Sequence, residues 1–137
     1  MIKLSINIAQ VKNLFNNLET GKSELFFDQV AEDVKWTVMG THPLARTYNS
    51  KQEFISSTFE RLNRILREGV LLKVNNIIVQ KEIAVVEMES LSTALNGMPF
   101  NNTYCWVVKF DDNLIIEVRA YVDSALVQKV IDENEKK

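Results

Sequence analysis

The second half of this chain is a run of long alternating segments separated by turn residues, and that limits what the first half can become. "VLLKVNNIIVQ" (70–80), "IAVVEMESLSTAL" (83–95), "NTYCWVVKF" (102–110) and "LIIEVRAYV" (114–122) all read as strands. The breaks fall at Lys81-Glu82, at Asn96-Gly97 with Pro99, and at Asp111-Asp112-Asn113. Asn-Gly favours a tight hairpin because both residues tolerate positive φ. Successive hairpins predict an antiparallel meander. A sheet with one apolar face must be covered, so the first half has to supply the cover.

The first half supplies helices. In "SINIAQVKNLFNNLET" (5–20), Ile8, Val11, Leu14, Phe15 and Leu18 repeat at three-four spacing, with Ser5 as the expected N-cap. "KSELFFDQVA" (22–31) reads as a second, shorter helix carrying Leu25, Phe26 and Val30. "DVKWTVMG" (33–40) alternates as a first strand stopped by Gly40, and "THPLARTYN" reads as a loop. "SKQEFISSTFERLNRILREG" (50–69) is the clearest helix. Ser50 and Glu53 have capping-box spacing, Phe54, Ile55, Phe59, Leu62, Ile65 and Leu66 form the apolar stripe, and Gly69 is the expected stop. "SALVQKVIDEN" (124–134) closes the chain as a short helix behind Asp123. Helices come mainly first and strands mainly last. The expected class is therefore α+β, a single domain over residues 1–137, with N-terminal helices on a curved, mostly antiparallel sheet. A sheet longer than its covering helices leaves an open end, a natural place for a small-molecule pocket.

Composition narrows the function. There are 16 basic and 18 acidic residues, a net charge of −2, which argues against a nucleic-acid partner. Nor is there a polybasic signal for a membrane surface. One cysteine, Cys105, and one histidine, His42, cannot build a zinc site, so no metal is expected. A lone cysteine forms no internal disulfide and fits a reducing compartment. No stretch approaches the ~20 apolar residues that span a bilayer, and "MIKLSINIAQ" is not a signal peptide. The expected setting is the cytoplasm. Phosphate loops, dinucleotide fingerprints and nucleophile elbows are missing too, which leaves acid–base chemistry without a cofactor.

Three stretches, with the element order, resemble the SnoaL-like branch of the nuclear transport factor 2-like, or ketosteroid isomerase-like, superfamily. They are "VKWTVMG", "HPLARTYNSKQEF" and "LNGMPFNNTYCWVVKFDDNLIIEVRAYVD". Four positions depart from the usual pattern. Arg46 and Asn113 stand where glycine is common, Phe100 where tyrosine is common, and Ala120 where many relatives carry an acid. The resemblance implies a cystatin-like cone with a pocket at its open end and a homodimer built through the sheet. It implies binding of a small apolar molecule, with isomerase or cyclase chemistry on an apolar carbonyl compound. The alternative is a non-catalytic ligand-binding or dimerisation module. Alanine at 120 cannot activate a water, which argues against epoxide hydrolysis and leaves room for a ligand.

His42 and Asp123 are the candidate catalytic groups. Trp36, Phe59, Tyr104, Trp106 and Ala120 are the candidate ligand-binding residues, with Tyr104 or Trp106 donating to a substrate oxygen. Each has a structural alternative: a histidine held by its loop, an aspartate capping the last helix, aromatic side chains packing a core. Strand parity sends Ile116, Val118, Ala120 and Val122 inward and Arg119 and Tyr121 outward, and a bulge would reverse it. On the same count Val86, Met88 and Ser90 face in, Glu87 and Glu89 face out, and Cys105 packs in the sheet.

Overall fold

The first helix begins where one side chain closes two orphan N–H groups. The computed structural model describes residues 6–135. In it α1 (Ile8–Glu19) is capped by Asn7, whose Oδ1 accepts from Gln10 N while the Gln10 side chain accepts from Asn7 N. The expected cap at Ser5 lies outside the described residues; the cap observed is two residues later. α2 (Ser23–Phe27) is shorter than the spacing suggests, because the chain is already extended at Val30, the start of β1 (Val30–Val38). Part of the segment read as a loop forms β2 (Arg46–Tyr48), pairing antiparallel with β1 through Trp36 and Tyr48.

The central helix is α3 (Lys51–Phe54), a π-helical turn (Ile55–Phe59) and α4 (Glu60–Asn63). Ser50 caps it as expected, accepting from Glu53 N at 3.1 Å. The Glu53 carboxylate does not complete the box; it pairs with Arg46 at 2.6 Å. The π turn has a packing reason. Phe54 and Phe59 are five positions apart, roughly 140° around an α-helix. An i→i+5 bond, Glu60 N to Ile55 O, lets both phenylalanines face the sheet, each nearly buried. Thr58 Oγ1 donates to the Phe54 carbonyl at 2.7 Å. The helix stops at Asn63, short of Gly69, and Asn63 Oδ1 accepts from Val70 N at 2.9 Å. The apolar spacing continues because Ile65 and Leu66 stay buried, but in turns that bridge to Ala94.

Four long strands follow: β3 (Leu72–Gln80), β4 (Ile83–Ser90), and then, after a break, β7 (Thr103–Asp111) and β8 (Leu114–Val122). The segment read as one strand over 83–95 breaks at Leu91. Its end forms β5 (Ser92–Thr93), which pairs with β6 (Pro99–Phe100) across the Asn96-Gly97 turn. At the β7–β8 turn Asp112 and Asn113 have φ of 51° and 66°, the left-handed pair a two-residue hairpin needs. α5 (Ser124–Asn134) ends the fold.

The sheet order is β2-β1-β8-β7-β4-β3. All neighbours are antiparallel except β1 and β8, which run parallel with Trp36 beside Val118 and Val38 beside Ala120. Parity on β8 is as expected for Val118 and Ala120, which are buried, and for Arg119 and Tyr121, which are exposed. It fails at Ile116. The register with β7 shifts between Lys109 and Phe110, and the bulge puts Ile115 inside and leaves Ile116 half-buried. Val86, Met88 and Ser90 face inward on β4, as parity predicts.

The helices pack on the concave face around an aromatic chain. Phe15 meets Phe26 at 5.0 Å, Phe27 meets Phe59 at 5.1 Å, and Trp36 stacks on Phe54 at 3.9 Å. Asn102, 1% exposed, ties three strand ends together. Its N–H donates to Ser90 Oγ, its Oδ1 accepts from Thr103 N and Asp123 N, and its Nδ2 donates to Asp123 O. Asn102→Ala removes those side-chain bonds and leaves buried N–H groups unmet, so it should destabilise the fold by about 2–3 kcal/mol. Urea unfolding of the variant against wild type measures this.

Candidate functional site

Six of the seven residues singled out in the sequence meet at one place. Trp36, His42, Phe59, Tyr104, Trp106 and Ala120 all line a cavity of about 50 Å³ inside the cone. Sheet register brings them together. Trp106 lies opposite Ala120 on β7 and β8, and β1 places Trp36 one strand further on. Phe59 reaches in from the π turn, and Ala120, with its single methyl, leaves the space open. Asp123 is the exception. Its carboxylate caps α5, accepting from Ala125 N at 3.1 Å and Leu126 N at 3.4 Å, and it does not line the cavity.

The cavity wall carries no carboxylate, ammonium or guanidinium group. His42 is nearly buried, and both ring nitrogens are engaged: Nδ1 accepts from Leu44 N at 3.2 Å, so Nε2–H donates to Met39 O at 3.1 Å. That tautomer is neutral. Burial holds the imidazole pKa below its ordinary 6.5, and the Met39 carbonyl only partly opposes it. Burial pushes the Tyr104 phenol far up, with a hydrogen bond to Ser90 acting the other way. At neutral pH Tyr104 is a neutral hydroxyl and cannot serve as a base. Thr58 spends its hydroxyl on Phe54 O, and Tyr48, behind Trp36, donates to Leu44 O at 2.8 Å.

Trp36 differs from its neighbours. It is fully buried, and among the described residues its Nε1–H is the buried side-chain polar group without a hydrogen-bond partner. Sequence reasoning placed Trp36 on the wall but assigned the donor role to Tyr104 or Trp106. No sequence signal marks a tryptophan whose N–H will be orphaned, since that depends on its neighbours being spent elsewhere. The π turn likewise has no sequence signature.

A larger groove, about 430 Å³, lies between α1 and the β7–β8 turn. Its polar groups are amides such as Gln10, Asn13 and Asn113, and no titratable side chain lines it, so it offers no acid–base chemistry. Among the described residues no three His, Cys, Asp or Glu side chains could together hold a metal, and no helix is long and apolar enough to cross a membrane.

Solved structures share this architecture. The chain superposes on an NTF2-like protein from Burkholderia thailandensis with a TM-score of 0.77 at 20% identity, covering 90% of this chain and 95% of that one. A cystatin-like-fold protein of unknown function from Xanthomonas campestris gives 0.75 at 16% identity, over 90% and 95%. TerC, co-crystallised with polyporic acid, gives 0.71 at 18% identity, over 91% and 97%. The chain therefore has the nuclear transport factor 2-like, cystatin-like fold. No protein-family model matches it. By sequence it is 29% identical over 129 residues to the dimerizing cyclase phiC of a fungal species. It is 31% identical over 133 residues to the dimerizing cyclase tstC of Talaromyces stipitatus. Each match takes in 91% of this chain and 57% of the relative, so the chain spans little more than half the length of these cyclases.

The His42 environment makes a pH prediction. Its folded pKa is lowered, so below 6.5 the unfolded chain takes up a proton that the folded ring resists. The histidine-linked part of stability should be complete above 6.5 and fall as pH drops from there toward the folded pKa. The NMR titration of this single histidine should have its midpoint below 6.5, and His42→Asn should remove that contribution from the pH profile.

Proposed function

We propose that this domain is a cofactor-free enzyme that seats a small apolar compound inside the cone, of the cyclase or isomerase kind. The observation carrying this reading is the convergence of the aromatic residues with Ala120 on one uncharged cavity. The likeness to two dimerizing cyclases supports it. In such a site the walls exclude water and hold the reacting carbons in a productive orientation. A donor in the wall stabilises negative charge developing on the substrate oxygen, an effect strengthened by the low dielectric. His42 is the sole titratable nitrogen at the cavity, and to take a proton on Nδ1 it must release the Leu44 N–H. Asp123 would have to leave its cap to act at all. These engaged groups favour a second reading, a ligand-binding module without turnover.

Substitution at Ala120 separates the cavity from the rest of the molecule. Ala120→Leu fills the space at an overpacking cost of about 1–3 kcal/mol. Wild type should bind a neutral cyclic enone saturably and speed exchange of its α-protons with D2O, followed by NMR. Ala120→Leu should lose at least about tenfold in affinity, roughly 1.4 kcal/mol. Equal binding by both proteins would sink the cavity as the site. Binding without exchange would support the second reading.

The domain is further proposed to pair with a second copy through the outer face of the sheet. Among the described residues no helix covers that face, and Ile78, beside Val85, is 55% exposed while Tyr121, beside Cys105, is 44% exposed. Sedimentation should give a dimer that Tyr121→Glu converts to monomer.

A further inference from the structure

We infer that α5 is a lid on the cavity, hinged at Asp123 and latched at its far end, and that lifting it is how a ligand enters. This rests on the cavity being the binding site, as proposed above. The cavity itself creates the need. At about 50 Å³ it has room for a few waters, whereas sites for ring compounds run to about 300 Å³ or more. One wall has to move before such a compound is seated. The walls are not equally fixed. Trp36, Leu72, Tyr104, Trp106 and Ala120 stand on strands laddered by backbone hydrogen bonds. Phe54 and Phe59 stand on the central helix, packed against Trp36 and Phe27. Val127 stands on α5, and α5 is held differently. Among the described residues no backbone–backbone hydrogen bond joins this helix to another element. It buries Val127, Val130 and Ile131 against the body, and its polar ties to the body lie at its two ends.

The two ends differ in kind. At the start, Asn102 grips the backbone of Asp123: its Oδ1 accepts from Asp123 N at 3.1 Å and its Nδ2 donates to Asp123 O at 3.2 Å. Asn102 is buried, and Gly40 packs so close to Ser124 that a methyl group there would collide with the serine hydroxyl. This end is a fixed pivot. At the far end the ties are side chains near the surface. Arg61 Nε and Nη2 donate to the Glu135 carboxylate at 2.5 and 3.0 Å, and both side chains are 32% exposed. On the other flank Asn96 N donates to Asn134 Oδ1 at 2.8 Å, and Asn96 Nδ2 to Glu133 Oε1 at 3.3 Å, both exposed. Exposed pairs of this sort break and re-form at little cost, and segments held by them open locally while the rest stays folded. α5 has 11 residues and is about 16 Å long, so a small tilt about Asp123 lifts Val127 from the wall. Such a latch sets rates. It closes again over a bound molecule, so losing it speeds entry and exit together and leaves affinity nearly alone.

N-phenyl-1-naphthylamine, an uncharged probe that brightens in apolar surroundings, reports entry by stopped-flow fluorescence. Glu135→Ala should raise its association and dissociation rates about fivefold each, with Kd within about twofold of wild type. Arg61→Cys with Glu135→Cys, on a Cys105→Ser background, gives the opposite test. Bridging the two thiols with bismaleimidoethane should slow entry at least about tenfold relative to the same protein unbridged. Amide hydrogen exchange without any ligand is an independent arm. In Glu135→Ala the α5 amides should exchange faster while the sheet amides keep their wild-type rates. Unchanged α5 exchange in that variant, or a bridged protein that takes up the probe at the unbridged rate, would overturn the lid and leave the cavity reading intact. Weaker affinity with an unchanged entry rate would overturn it too, because Glu135 would then only steady the bound state. If Ala120→Leu does not alter probe binding, or wild type binds no probe, the cavity reading fails and the lid fails with it as the gate.

Discussion

The parallel pairing of β1 with β8 is the contact on which the cone depends. It joins β1, the long strand in the first third of the chain, to the last strand of the sheet. Without it, the helical half would keep few backbone bonds to the sheet, among them Ile115 N to Gln29 O and Arg67 N to Thr93 O. With it, Trp36 is fixed across β8 from Trp106, and Met39 N donates to Ala120 O at 2.9 Å. That bond holds the chain just before Gly40, and the His42 loop follows from there. Gly40 sits at φ 111°, and a methyl group on it would come within 2.2 Å of Ser124 Oγ. The strand, the turn and the first residue of α5 are thus locked at the mouth of the cavity. Parallel pairs need long crossovers, and here more than half of the chain, from the end of β1 at Val38 to the start of β8 at Leu114, is the crossover.

The interior built on that pairing is unusual for what it lacks. Large aromatic rings surround the space, yet the wall has no charge and almost no uncommitted polar atom. Polar chemistry has been moved to the strand ends, where Asn102, Ser90 and the Asp123 backbone satisfy one another. That division lets the cavity stay apolar while the sheet ends stay closed. It has a cost: an orphaned indole N–H destabilises the unliganded fold by about 1–3 kcal/mol, a notable share of a stability of about 5–15 kcal/mol.

Much of this was legible in the sequence because it rests on period and on turn chemistry. Alternation located the long strands, capping spacing located Ser50, and the Asp-Asn pair located the last hairpin. Parity put Ala120 inside and Arg119 outside. What escaped depends on one residue too many or on partners far away. The β8 bulge flips Ile115 and Ile116 through a register shift against β7 that no local pattern records. The helix read through Gly69 ends at Asn63 because turns can bury Ile65 and Leu66 as well as a helix can. For the site, residue type picked out aromatic side chains that the fold gathers around one cavity. It could not apportion roles, since those are decided by which donors the fold has already used: Asp123 on a helix end, His42 on its own loop, Trp36 on nothing.

The π turn bears on how this cavity can change between relatives. A helix ordinarily tolerates substitution but not insertion, because one extra residue rotates everything beyond it by about 100°. Here the extra residue is absorbed locally, between Ile55 and Phe59, and both flanking stretches keep their faces toward the sheet. Loss of a single codon between the two phenylalanines would restore a plain α-helix with the rings four positions apart, about 40° from each other and still on the face toward the sheet. The interior of the cone would keep both rings. The helix can therefore gain or lose one residue at this point while the contacts on either side stay in register.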